Sequence, residues 1–278
     1  MIDFTDAQIE RYARHLVLPE IGDGGQARLL GSSVLVIGAG GLGSPLLLYL
    51  AAAGVGRIGV VDDDDVDLSN LQRQVVHDSS NVGMAKVESA KARLAEINPE
   101  VAVETHQTRL TRETAMDLVS GYDLVADGSD NFPTRYLVND ACYLARKTLV
   151  SAAIMRFDGQ LSTFKAHLRV PEAPEAHPCY RCLFGAQPED PKQSCADVGV
   201  LGALAGTLGA LQATEVVKEL LGIGESLSGA FLLYDALAAT FRKIKVKADP
   251  ACLLCGPEAT IKDLGSVSYH EREPFCAA

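Results

Sequence analysis

Two groups of residues in this chain have the types and the spacing to do chemistry. The first is Gly38-Ala39-Gly40-Gly41-Leu42-Gly43, a G-x-G-x-x-G run between the apolar stretch Val34 to Ile37 and the segment SPLLLYLAAAG. Glycines let a backbone turn tightly and approach a phosphate, and a helix start offers unpaired N–H groups and a positive dipole end. Asp62 closes the next apolar stretch, where a carboxylate can accept from ribose hydroxyls. The pattern alone serves NAD, FAD, S-adenosylmethionine and ATP equally. The residues beyond Asp62 separate them. The segment DDDDVDLSNLQRQ puts Asp64, Asn70, Arg73 and Gln74 at and beyond the acidic turn, and Lys86 opens the next helical pattern. A dinucleotide pyrophosphate needs no such cluster, whereas the β and γ oxygens of a triphosphate carry charge that must be neutralised. Asp130, with Asn131 beside it, follows a further strand and is placed to hold Mg²⁺, which takes one or two carboxylates plus phosphate oxygens. The plainer alternative leaves Arg73 and Lys86 as surface charges and Asp130 as a helix cap.

The second group is sulfur. Four of the seven cysteines form two C-x-x-C pairs, Cys179-Tyr-Arg-Cys182 and Cys252-Leu-Leu-Cys255. Two such pairs supply the four thiolates of a closed tetrahedral Zn²⁺ site, which has no open position and therefore staples rather than catalyses. Disulfides are the alternative, disfavoured in a reducing compartment. Cys195 stands apart, ahead of a helix rich in small residues. A thiol near a helix start has a lowered pKa, so Cys195 is either a nucleophile or an inert loop cysteine. Cys142 reads as a core residue and Cys276 is unassigned.

These groups need a scaffold, and the pattern describes one. From Val34 the chain alternates strand-like runs (34–37, 58–61, 101–104, 124–126, 149–152) with helical ones, as a parallel sheet with crossover helices does. Met84, Val87, Leu94 and Ile97 recur at helical spacing, and Asn98-Pro99 ends that helix. Residues 132–146 read similarly. Beyond residue 156 come a strand in QLSTFKAHL, a Pro/Glu-rich loop, a helix near 198–222 whose Gly202, Gly206 and Gly209 suit close packing, and two further strands at 231–234 and 241–246. The expected fold is α/β: a Rossmann-like, doubly wound, mostly parallel sheet extended by C-terminal strands. No polar linker divides it. Residues 1–256 therefore form one unit, with a helical arm (1–30), a nucleotide-binding half (31–155) and a second half (156–256), and residues 257–278 show no firm pattern.

Composition narrows the function classes. With 25 Lys+Arg against 36 Asp+Glu in 278 residues, the net charge is −11 and no dense basic run occurs, which argues against nucleic-acid and anionic-membrane partners. The stretch 198–214 falls short of the roughly 20 residues a membrane span needs. The N-terminal MIDFTDAQIERYARHL lacks a basic and then apolar leader, so the expected compartment is the cytoplasm.

Taken in order, GAGGLGS, SNLQRQ, GMAKVESA, DGSDN, CYRC, SCADVGV and LLYDA resemble the ThiF/MoeB family of adenylyltransferases, relatives of ubiquitin-activating enzymes, over about residues 9–256, and most nearly its molybdopterin-synthase branch. The resemblance implies ATP-dependent activation of the C-terminal Gly-Gly carboxylate of a small ubiquitin-like sulfur carrier, of MoaD or ThiS type, as an acyl-adenylate. It implies that Gly41 lies against the phosphates, that Asp62 holds the ribose, that Asn70, Arg73 and Lys86 contact the triphosphate, and that Asp130 holds Mg²⁺. It also implies a homodimer in which Arg14, in RYARHL, reaches the partner's ATP site. Cys195 matches the position where some members link covalently to their carrier. An NAD-dependent oxidoreductase shares the glycine loop and Asp62 but gives Arg73, Lys86 and Asp130 no common task.

Overall fold

A computed structural model describes residues 4–187 and 199–269. Eight strands form one sheet in the order β3-β2-β1-β4-β5-β6-β7-β8. They are β1 (Ser33–Ile37), β2 (Arg57–Val61), β3 (Ala102–His106), β4 (Leu124–Asp127), β5 (Thr148–Met155), β6 (Asp158–Phe164), β7 (Ala230–Asp235) and β8 (Thr240–Lys245). The first five in that spatial order run parallel, and β6, β7 and β8 continue antiparallel. This is the expected doubly wound sheet with a C-terminal extension. Order reverses at β1, whose neighbours are β2 and β4, so a crevice opens at the carboxyl ends of β1 and β4, where ligands bind in such sheets.

The parallel strands are apolar on both faces because both are covered. Val34 and Val36 of β1 pack with α3 (Gly43–Ala53), α4 (Lys86–Ile97) and the long helix α8 (Gly202–Leu221), which follows the short α7 (Tyr180–Phe184). Leu35 and Ile37 face the opposite layer, made by α5 (Arg112–Ser120) and α6 (Phe132–Leu144). The small-residue helix starts at Gly202 rather than 198. Its closeness to α3 is what requires Gly209: a Cβ there would lie 2.5 Å from the Leu42 carbonyl oxygen and 2.4 Å from Pro45 Cγ. Gly206, expected to serve the same packing, has nothing within 4 Å of where its Cβ would be.

Three features go beyond the pattern in the sequence. Helix α5 buries only Ala115 and Val119, too few apolar positions to make a clear stripe. The N-terminal arm is two helices, α1 (Asp6–Leu16) and α2 (Gly22–Leu30). The segment after Gly256 is packed as far as it is described: Ile261 joins the cysteine cluster, and Leu264 joins the core under α6.

Candidate active site

The glycine loop leaves β1 at Gly38, whose φ of +91° is a left-handed conformation that side chains rarely adopt. The loop then doubles back so tightly that a Cβ on Gly43 would sit 1.9 Å from the Gly38 carbonyl oxygen. Asp62 accepts from the Ala39 N–H at 2.7 Å and from the Asp64 N–H at 3.0 Å, joining the loop to the tip of β2. Burial pushes its carboxyl above the usual value, and Lys86 partly offsets that shift. Among the described residues, nothing accepts from the N–H groups of Gly40 or Gly41. Free amides at the start of α3 are the donors an anionic phosphate uses.

The expected cations converge on this loop. Lys86 is the first residue of α4 and only 5 % exposed, yet its charge is paired: its Nζ lies 2.6 Å from Asp64 Oδ2 and 4.0 Å from Asp62 Oδ1. Asp64, expected among the nucleotide-binding carboxylates, is thus the counter-ion that holds Lys86 in place. Arg73 donates to the Ser69 carbonyl at 3.2 Å, and its stem lies across Gly41, where a Cβ would come within 3.5 Å of Arg73 Cγ. Asn70 uses its side-chain oxygen locally, accepting from the Asp67 N–H at 3.2 Å. Gln74 is buried beside Gly40 with Oε1 unpartnered.

Across the crevice, β4 ends in the loop that carries Asp130. Asp127 is fully buried and accepts from the Ser129 N–H at 2.9 Å and from the Ser151 hydroxyl at 2.9 Å. Arg135 donates to the Ser129 and Ala152 carbonyls, and Gln212 of α8 donates to the Asp127 and Val150 carbonyls. The loop is therefore braced from below while Asp130 projects exposed at its tip. Asn131, not Asp130, caps α6, accepting from the Thr134 N–H at 2.9 Å. That capping bond occupies the side-chain oxygen of Asn131, whose Nδ2 meets Asp130 Oδ1 at 3.5 Å, so Asp130 caps no helix and keeps its other carboxylate oxygen open. The Ser129 hydroxyl is buried and unpartnered. Gln74, beside Gly40, and Ser129, in the loop that packs against Gly38, thus each keep an orphaned polar atom at this edge of the sheet, as fits a polar ligand there. Arg135 and Gln212 carry no motif of their own in the sequence; only the packing brings them against Asp127 and Ser129 of the DGSDN stretch.

Arg14 lies elsewhere. Helix α1 is seated by Tyr12, whose hydroxyl accepts from Asn98 at 2.9 Å and fills the space over Gly54, where a Cβ would come within 2.6 Å of it. Arg11 donates to the Ile97 carbonyl, and His15 meets Gln26 at 2.8 Å. Those anchors sit at the carboxyl ends of α3 and α4. The glycine loop is at the other end of α3, about 16 Å away at 1.5 Å per residue. Arg14 is exposed there and remote from the phosphate loop of its own chain.

The two C-x-x-C pairs come together although about 70 residues separate them. Sulfur–sulfur distances are 3.7 Å (Cys179–Cys182), 3.5 Å (Cys179–Cys252), 3.4 Å (Cys182–Cys255) and 3.4 Å (Cys179–Cys255). A Zn²⁺ bound tetrahedrally by thiolates at about 2.3 Å would hold them about 3.8 Å apart, whereas a disulfide would bring two to about 2.05 Å. All four are free cysteines, so the arrangement fits a metal and not cross-links. Arg169 donates to Cys255 Sγ at 3.2 Å and to the Cys255 carbonyl at 2.7 Å, the partner an anionic sulfur cluster calls for. A buried ion pair carries the knuckle. Asp140, fully buried in α6, accepts from Arg181 at 2.8 and 2.6 Å, from Asn139 at 2.9 Å and from Tyr269 at 2.8 Å. Cys195 lies outside the described residues.

The comparisons with known proteins agree with this geometry. The ThiF family profile matches residues 12–254. The chain is 50% identical over 278 residues to "Sulfur carrier protein adenylyltransferase" of Thermus thermophilus, covering 98% of each chain. It is 48% identical over 265 residues to "SAMP-activating enzyme E1" of Haloferax volcanii, covering 95% of this chain and 94% of that one. It is 50% identical over 273 residues to "Adenylyltransferase and sulfurtransferase MOCS3" of Bos taurus, where the match covers 98% of this chain but spans 57% of the relative. Among solved structures, E. coli MccB with MccA-N7isoASN shares the fold at TM-score 0.74 and 23% identity, over 91% of this chain and 76% of that one. A glycine loop with free amides, a buried lysine at the next helix start and a profile match across nearly the whole chain lead to one assignment: this protein belongs to the ThiF family of adenylyltransferases.

Proposed function

We propose that the protein uses ATP to adenylate the C-terminal Gly-Gly carboxylate of a small ubiquitin-like sulfur carrier, with the MoaD type of molybdopterin biosynthesis as the leading candidate. The observation that carries this reading is the convergence of Lys86 and Arg73 on a loop whose Gly40 and Gly41 amides are free. The names of its relatives, which speak of sulfur carriers and of activation, support it.

The groups present determine the chemistry. A terminal carboxylate is already ionised at pH 7, so its oxygen attacks the α-phosphorus without a general base, and pyrophosphate leaves. The site supplies placement and charge neutralisation instead. Asp62 takes the ribose hydroxyls, the Gly40 and Gly41 amides take phosphate oxygens, and Lys86 and Arg73 balance the charge that builds on the leaving group. Asp130 would hold Mg²⁺, which when bound adds to that neutralisation. Arg14 completes the site of a second copy in a homodimer, since it stands far from its own loop. The ThiS-type carrier of thiamine biosynthesis, with Cys195 forming a covalent intermediate, is the second reading. A cytoplasmic location is compatible, and among the described residues no helix is long and apolar enough to cross a membrane.

The deciding experiment is ATP–pyrophosphate exchange with purified MoaD-type and ThiS-type carriers, each compared with a version lacking Gly-Gly. Exchange that requires one intact tail is expected, and it names the carrier. Failure of both carriers in a protein that binds ATP would overturn the reading.

Zn²⁺ held by Cys179, Cys182, Cys252 and Cys255 serves as a staple between the knuckle and the C-terminal segment. Elemental analysis should find about one zinc per chain, and Cys252→Ser should release it and lower the melting temperature. A metal-free chain of unaltered stability would reject the staple.

A further inference from the structure

His77 is buried behind the glycine loop and belongs neither to the nucleotide residues nor to the sulfur cluster. Its Nε2 lies 2.9 Å from the Ala39 carbonyl oxygen and its Nδ1 lies 2.8 Å from Ser89 Oγ. A carbonyl can only accept, so Nε2 carries the proton and Nδ1 accepts from the Ser89 hydroxyl. Ser89, fully buried in α4, is then free to accept in turn, and Asn81 donates to it at 2.7 Å. The directions run one way throughout: Asn81 to Ser89, Ser89 to His77, His77 to the Ala39 carbonyl. Each donor and acceptor has one assignment that satisfies all the others.

The consequence lies in the peptide between Ala39 and Gly40. In a trans peptide the carbonyl and the following N–H point in opposite directions. His77 draws the Ala39 carbonyl inward, so the Gly40 N–H must face outward, away from the buried ring. That amide meets no acceptor among the described residues. The other end of the Ala39 residue is fixed as well, because its own N–H is held by Asp62. Gly40 without such a clamp has access to both orientations of that peptide plane, since glycine lacks the steric restraints of other residues. The same relay passes through Ser89, one turn along α4 from Lys86, so it ties the loop to the helix that carries the cation.

We propose that His77 is a positioning residue for the nucleotide phosphates, which fixes the Ala39–Gly40 peptide plane so that the Gly40 N–H is presented to a phosphate oxygen. The inference rests on the ATP-dependent reading and names a determinant of phosphate, as opposed to nucleoside, recognition. His77 is suited to the task as a neutral donor: burial holds its pKa below the ordinary imidazole value, so at neutral pH it places no cation beside Lys86.

The test is calorimetric titration of the intact protein with ATP and, separately, with adenosine. His77→Phe keeps the ring and removes the donor. It should weaken ATP about tenfold, the worth of one charge-assisted hydrogen bond, and leave adenosine within about twofold. His77→Gln, which restores an N–H near the same point, should bring ATP back to within about threefold of wild type. Ser89→Ala keeps the imidazole but frees its tautomer, and it provides the readout if His77→Phe does not fold: ATP should weaken by about threefold or more with adenosine unchanged. Unaltered ATP affinity in folded His77→Phe, or in Ser89→Ala when the former is unfolded, would overturn the inference. Equal weakening of ATP and adenosine would do so too, because it marks general damage. Wild-type protein that binds neither ligand would overturn the adenylyltransferase reading itself, whereas normal wild-type binding with unaltered variants overturns this inference alone.

Discussion

Lys86→Ala is expected to lower kcat/KM for adenylate formation by about a thousandfold, corresponding to about 4 kcal/mol of lost transition-state stabilisation. Two losses combine. The charge that builds on the departing pyrophosphate loses a cation fixed in a water-poor position, where such a charge acts most strongly. Asp62 and Asp64 also lose the cation between them, so the Asp62 carboxyl, already raised by burial, rises further and accepts less well from ribose. Folding should suffer far less. Asp64 is 65 % exposed and regains water when Lys86 leaves, which limits the cost to about 2 kcal/mol or less. Steady-state pyrophosphate exchange and a thermal melt on the same preparation check both parts, and near-normal turnover would remove Lys86 from the phosphate assignment. The variant also tests the shared site. Equal amounts of Lys86→Ala and Arg14→Ala chains, paired at random, should recover about a quarter of wild-type activity, because one site in each mixed dimer is intact. No recovery would count against exchange of Arg14 between copies.

The largest effect on stability is expected at Arg181. Arg181→Met leaves Asp140 wholly buried with only neutral donors, Asn139 and Tyr269, and breaking such a pair costs about 3–5 kcal/mol. The melting temperature should fall by roughly 6–15 °C, at about 2–3 °C per kcal/mol for a chain of this size. Adding Asp140→Leu should restore part of the loss, since the orphaned charge rather than the missing contact is the main penalty. Tyr269→Phe removes one hydrogen bond and should cost about 1–1.5 kcal/mol. A single Arg181→Met variant that melts within 2 °C of wild type, by roughly the same scaling, would show that the buried pair does not hold the knuckle in place.

How much of this is legible in the sequence depends on how local each signal is. The glycine loop, Asp62 and the helix that Lys86 opens are contiguous patterns, and the structure places them where the pattern puts them. The cysteine pairs are equally legible because each C-x-x-C is a local motif, even though their meeting is not. Asn131 has a structural task that its local signal announces: Asn131-Phe132-Pro133-Thr134 has a capping residue followed by proline near the helix start, and its side-chain oxygen caps α6. Helix α5 escapes the pattern because nine residues with two buried positions carry almost no periodicity. His77, Asp140 and Arg169 are beyond reach for a different reason. A single histidine or a buried carboxylate acquires its meaning from partners far away in the chain, and no spacing rule announces them.

The seat of Tyr12 has a consequence for behaviour at low concentration. Helix α1 is pinned to the carboxyl ends of α3 and α4, so a solitary chain holds its arginine over no phosphate at all. In the proposed dimer, output per chain then depends on the total amount present: it declines on dilution and reaches half its plateau where half the chains are paired. ATP that contacts both copies favours the pair by mass action, so saturating nucleotide should move that midpoint to lower protein concentration.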